Sequence, residues 1–190
     1  MFAAEGARLV LQYHRGRSRN SELQKELCAD DPLIVRADLT SEGETRRLFA
    51  QSVKRFGQVD TLIANAGSWE SRDVPLDKMP LRQWHCTLEN VLTTTFLSVR
   101  EFLRLVARQK RGNAVLIAST AAVFGEAGHA DYAAAKAEIA YGLTRSLKNE
   151  LARLAPHCVF QRKRTPVPIQ SGHSFQLISD SCRSEATLWG

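Results

Sequence analysis

Apolar residues along the 190-residue chain fall into two alternating patterns. Short runs rich in Val, Leu and Ile lie at 7–13, 33–35, 60–64 and 114–118, each closed by small or polar residues, and each reads as a strand. Between them the pattern stretches to a repeat of three or four. Residues 1–5 look like the end of a helix and 20–28 like a short helix. Ser41 and Glu44 have the spacing of a capping box for a helix that runs to Phe56 and stops at Gly57. From about Pro80, the positions Leu81, Trp84, Leu88, Val91, Thr95, Val99, Phe102 and Val106 mark one buried helix face, ended by Gly112-Asn113. An Ala-rich helix is expected from 131 to about 154.

Strands that alternate with helices imply an α/β fold with a doubly wound parallel sheet of the Rossmann type, occupying 1–154 as one partial domain. Ligands bind such a sheet beyond the carboxyl ends of its strands. The strand ends are Tyr13, Ala37-Asp38-Leu39, Asn65-Ala66-Gly67 and Ser119. From 155 to 190 the character changes. Pro156, Pro166 and Pro168 make up half of the six prolines, no period is sustained, and a poorly ordered tail is expected.

Composition narrows this picture little. With 44% hydrophobic and 24% charged residues the chain is globular rather than disordered or fibrous. The longest uncharged apolar stretch, 113–125, falls short of the roughly 20 residues of a membrane span. Glu5 and the lack of a basic region ahead of an apolar block argue against a secretory signal, so a cytoplasmic location is expected. Cys28, Cys86, Cys158 and Cys182 are spaced for neither zinc nor a disulfide frame; reduced thiols and no metal are expected. The net charge of +6 is scattered, and a nucleic-acid partner is not expected.

Chemistry enters with Tyr132 and Lys136. Four residues apart on one helix, they project from the same face. Alone the pair is common, and a half-buried tyrosine beside a solvated lysine would explain it. The context adds weight: Ser119 ends a buried strand thirteen residues before Tyr132, and Asn65-Ala66-Gly67 ends the strand before that. In these residues the chain resembles the short-chain dehydrogenases/reductases over about 1–154. The resemblance matches Ser119, Tyr132 and Lys136 to the catalytic trio and Asn90, in Leu88-Glu89-Asn90-Val91, to the catalytic asparagine.

The residue types suit the reaction such a family implies. Carbonyl reduction by hydride transfer builds negative charge on oxygen, so a proton donor must lie within hydrogen-bond reach. Tyr132 is that donor, and the Lys136 ammonium favours its phenolate. By the resemblance, Lys136 also binds the nicotinamide ribose, Ser119 orients the substrate oxygen, and Asn90 holds a water in a proton relay. The cofactor contacts it implies are Asp38 and Leu39 to the adenine, Asn65 supporting the sheet, Ala66 and Gly67 by the adenosine ribose, and Tyr132 with Lys136 at the nicotinamide end.

Cofactor choice can be read after the first strand. Tyr13-His14-Arg15-Gly16-Arg17-Ser18-Arg19 carries three arginines and no acid, which suits the 2′-phosphate of NADP(H) better than the 2′-hydroxyl of NAD(H). Arg15 and Arg17 are the expected phosphate ligands; a solvated basic loop is the alternative. His129, three residues before Tyr132, reads as a cap of the following helix without a catalytic role. Trp69 could be core or pocket wall.

The resemblance also has gaps. Family members have a strand and a Gly-rich phosphate turn ahead of the segment that begins here at Met1, and Gly6 and Gly16 do not replace it. In the strand order 3-2-1-4-5 that strand joins the two halves of the sheet, so an incomplete sheet, split in two and of low stability, is expected. Later strands are missing too: Cys158-Val159-Phe160-Gln161-Arg162-Lys163-Arg164 resembles no family element, as a shifted frame or altered splice would leave it.

Two functions follow. The first is an oxidoreductase acting on a small carbonyl or alcohol substrate, most like the 3-oxoacyl-thioester reductases. Its homo-oligomer would form through the helices at 80–109 and 131–154. The alternative is a catalytically inactive truncated form that associates with intact family subunits through the same helices.

Overall fold

The computed structural model describes residues 2–15, 32–154 and 176–177. The chain divides into two compact units, Met1–Val59 and Asp60–Gly190. In the first, a single 3-10 turn at Ala3–Glu5 stands where a helix end was expected, closed by Gly6 at φ 79°. Strands β1 (Val10–Tyr13) and β2 (Leu33–Arg36) pair in parallel, Val10 opposite Leu33 and Tyr13 opposite Arg36. The helix expected at 20–28 lies outside the described residues. Val35, Ala37 and Leu48 form the core, with Val10, Leu33 and Leu39 packed on it.

Helix α1 (Glu42–Phe56) begins and ends where its signals lie. Ser41 Oγ accepts the Glu44 N–H, and Gly57 closes the helix at φ 81°. Thr45, Leu48, Phe49 and Ser52 are its buried residues, at the spacing of one face. The reciprocal half of the capping box is redirected. Ser41 N already donates to Asp38 O, so the Glu44 carboxylate instead accepts the Asp38 N–H at 2.7 Å. That bond fixes the turn that follows β2.

In the second unit, β3 (Thr61–Ala64) runs parallel to β4 (Asn113–Ile117), with Ala64 opposite Leu116. Ala114, Val115 and Leu116 are buried in succession, as a strand covered on both faces requires. A two-residue strand, β5 (Gln176–Leu177), adds antiparallel to β4, so this sheet is not wholly parallel. The described strands thus form two hydrogen-bonded sheets, one in each unit.

The long helix expected from Pro80 forms as α2 (Leu81–Leu88) and α3 (Thr94–Gln109), joined by one π turn at Glu89–Thr93. Its stripe is buried only from Val91 on. Val91, Val99, Phe102 and Val106 are at most 2% exposed, whereas Leu81 is 67% exposed. A Cβ on Gly112 would lie 2.6 Å from Val106 Cγ2 and 2.8 Å from Phe102 Cζ, so glycine lets the chain pass close to the helix before β4. A short helix not foreseen in the sequence, α4 (Ala121–Phe124), follows β4. The Ala-rich helix is α5 (Ala130–Ala137), a second π turn (Glu138–Leu143) and α6 (Thr144–Leu154). Among the described residues no helix is long and apolar enough to cross a membrane.

Candidate active site

Parallel pairing sends β3 and β4 out of the sheet at the same end, so Asn65-Ala66-Gly67 and Ser119 leave from neighbouring strands. Residues 65–67 are exposed. Gly67 passes Val91, where an added Cβ would meet Cγ2 at an ordinary 3.5 Å, so space alone does not demand glycine there. Ser119 Oγ accepts the Ala121 N–H at 3.2 Å, and its carbonyl accepts the Ala122 N–H. The serine therefore caps α4 as well as ending the strand segment.

Lys136 ties α5 to this strand. Its side chain is carried inward on α5, is 4% exposed, and donates from Nζ to Ile117 O at 2.7 Å. Burial disfavours the ammonium and pushes its pKa below the ordinary 10.5. The same Nζ lies 5.7 Å from the Tyr132 ring centroid. One helix face thus brings Tyr132 and Lys136 together. The lysine also pins that face to β4 two residues before Ser119.

Residues not singled out in the sequence hold Tyr132 from behind. Asp131 is 1% exposed; its Oδ1 accepts the Tyr132 N–H at 2.9 Å. Its Oδ2 accepts from Thr87 Oγ1 at 2.6 Å and Gln83 Nε2 at 3.2 Å. A buried carboxylate satisfied by a hydroxyl, an amide and a backbone N–H anchors the start of α5 to α2. The sequence did hold a signal: an acid in the first turn of α5, and two polar residues one turn apart on the facing helix.

Asn90 sits in the π turn, which packs against α5 together with α2. Such turns are frequent at functional sites because they loosen the helical hydrogen-bond ladder. Its amide donates to Cys86 Sγ at 3.2 Å, and its carbonyl accepts the Thr94 hydroxyl at 2.9 Å. His129 differs from its expected role. It makes no side-chain cap; its Nε2 bonds Asp73 Oδ1 at 3.0 Å, and its ring stacks on Trp69 at 4.2 Å. The Asp73 carboxylate and the indole offer the buried ring more than a capping position would.

The remaining expected residues belong to the first unit. Asp38 Oδ1 accepts both the Thr40 N–H at 2.9 Å and the Thr40 hydroxyl at 2.7 Å, while Oδ2 lies 3.7 Å from His14 Nε2. The Thr40 bonds chiefly, and the charges of His14 and Arg15 to a lesser degree, hold the Asp38 carboxyl below its usual range. Leu39 packs on the β1–β2 core. Arg15 is exposed. Arg17 lies outside the described residues.

Comparison with known proteins identifies relatives of the chain. The profile of the short chain dehydrogenase family matches residues 1–157. A 3-oxoacyl-[acyl-carrier-protein] reductase of Synechocystis sp. is 31% identical over 79% of the chain and 60% of its own length. The similarly named reductases FabG of Staphylococcus aureus and Staphylococcus epidermidis are 28% and 26% identical over 79% of the chain and 61% of their own length. The chain thus spans about three fifths of the length of these relatives. On the match across most of its length, the chain belongs to the short-chain dehydrogenase family of oxidoreductases.

Proposed function

We propose that the chain carries the reaction centre of an NADP(H)-linked oxidoreductase that interconverts a carbonyl and an alcohol, with Tyr132 as proton donor and acceptor. The observation that carries this reading is the Lys136 ammonium, buried between Ile117 O and the Tyr132 ring. Burying a cation is costly. Its placement beside a phenol gives that cost a chemical return, because the ammonium stabilises the phenolate left when Tyr132 gives up its proton.

The donors of Lys136 suit the ribose of a nicotinamide nucleotide. The bond to Ile117 O uses one of the three N–H donors of Lys136, which leaves two for the hydroxyls of a ribose. Asn65, Ala66 and Gly67 would border the adenosine ribose, Asp38 and Leu39 the adenine, and Arg15 with Arg17 the 2′-phosphate. When bound, the nicotinamide supplies or takes the hydride. Ser119 Oγ already accepts the Ala121 N–H, so its own proton is what it offers the substrate oxygen. Asn90, at the loosened turn of its helix, would hold the water that returns a proton to Tyr132.

The relatives are named as 3-oxoacyl-[acyl-carrier-protein] reductases, which supports a carbonyl substrate for this chain. On the same proposal the chain forms a homo-oligomer through the helices at 80–109 and 131–154. The test is NADPH absorbance with a panel of ketones. Tyr132→Phe should cut turnover by about 100-fold or more while the circular dichroism stays unchanged. Equal turnover in the variant would remove Tyr132 from the chemistry.

A further inference from the structure

The loop after Gly67 and the loop before Tyr132 are fastened together by contacts that proton transfer does not use. Val74 N donates to Gly128 O at 3.0 Å. Gly128 has φ 79°, and a Cβ there would come within 2.8 Å of Asp73 Cβ and 3.0 Å of Asp73 Cα. Glycine therefore both adopts the left-handed backbone and makes room for Asp73. The approach places Asp73 Oδ1 3.0 Å from His129 Nε2.

A carboxylate only accepts, so Nε2 carries a proton. Nδ1 is buried without a hydrogen-bond partner, and His129 as a whole is 4% exposed. The ring is thus set by two contacts: the Asp73 bond at one edge and the Trp69 indole over its face, with centroids 4.2 Å apart and planes at 24°. Trp69 in turn lies 5.4 Å from the Tyr132 ring at 58°. It is nevertheless 50% exposed. An indole held on one face, half open on the rest and beside the reacting phenol is an aromatic surface available to a substrate.

We propose that Trp69 is the wall of the substrate site beside Tyr132, that it selects carbonyl compounds bearing an aryl group, and that Asp73 and His129 are the positioning residues that hold it. The assignment rests on Tyr132 being the proton donor. An aryl ring can meet the indole in the offset or tilted geometry that aromatic quadrupoles favour, whereas a saturated ring of the same carbon count buries similar area without that term. The difference corresponds to about three- to tenfold in selectivity.

The experiment compares acetophenone with cyclohexyl methyl ketone, using the full chain and NADPH. The wild type is expected to favour acetophenone in kcat/KM by about three- to tenfold, and Trp69→Leu should bring the ratio to about one. Trp69→Phe should keep part of it. Asp73→Ala should raise KM for acetophenone and lower the ratio while kcat stays within about threefold, because Tyr132 and Lys136 are untouched. Asp73→Asn keeps an acceptor for Nε2 and should retain the wild-type ratio. A ratio unchanged in folded Trp69→Leu overturns the wall; Asp73→Ala indistinguishable from wild type overturns the positioning role.

A folded chain that reduces no ketone overturns the oxidoreductase reading, and binding then decides the wall separately. Broadening of the fluorine resonance of 4-fluoroacetophenone by wild type, abolished in Trp69→Leu, upholds it. Equal broadening, or none with either protein, overturns it.

Discussion

Replacing Lys136 with methionine separates the chemical role of this lysine from its structural one. Two terms act on stability. Ile117 O loses the Lys136 bond, and a lost bond at this half-buried carbonyl costs at most about 1–3 kcal/mol. Against this, the variant no longer buries an ammonium that its surroundings disfavour. The net loss should therefore stay under about 3 kcal/mol, a fall in melting temperature of at most about 10 °C. The chemical term is larger in effect. A unit charge 5.7 Å from the Tyr132 ring, at an effective dielectric of about 20, stabilises a phenolate by about 3 kcal/mol, or roughly a hundredfold in rate. Paired measurements of NADPH-dependent ketone reduction and thermal unfolding test both. Activity retained within about threefold would refute the electrostatic coupling. A melting point lowered by well over about 10 °C would show that the lysine chiefly anchors α5 to β4.

Protonation gives a second check on the same residue. With its folded pKa below 10.5, the folded chain binds fewer protons than the unfolded one between those values, so unfolding free energy rises with pH there. Wild type should gain stability relative to Lys136→Met as pH climbs through that window, seen in paired denaturant titrations; a constant difference would count against the burial argument. Asp38 has the opposite window. Its lowered pKa contributes stability above about 3.8 that is lost as pH falls through the folded value, so acid should erase the stability difference between wild type and Asp38→Asn. Gly128→Ala meets both the φ of 79° and the Asp73 contact, and should cost about 2–4 kcal/mol by denaturant titration. Arg15→Glu should raise KM for NADPH about tenfold or more and favour NADH; an unchanged preference would remove Arg15 from the phosphate site.

Strands and helix ends were the legible parts of this fold, since each rests on a local signal. Ser41 and Gly57 bound α1 because capping geometry involves only neighbouring residues. The continuous apolar run at 114–116 was legible as a strand covered on both faces for the same reason. Redirection of Glu44 to Asp38 N was not, because it depends on the turn having already satisfied Ser41 N. The Tyr132 and Lys136 face could be read from spacing, but not the partner of Lys136, nineteen residues away on another strand. Asp131 and His129 were hidden similarly. Their partners, Gln83, Thr87 and Asp73, lie 44 to 56 residues distant, so only tertiary packing reveals what holds Tyr132 in place.

The π turn at Glu89–Thr93 amounts to one residue inserted into an otherwise regular helix. The wider turn absorbs that residue, so α2 and α3 keep nearly the angular relation of an uninterrupted helix while the sequence is offset by one position. A single deletion within 89–93 would regularise the backbone and leave Gln83 and Thr87 facing Asp131, while removing the loosened turn that carries Asn90. The insertion is therefore separable from the clamp. It changes the backbone of its own turn and not the direction in which the helices on either side point.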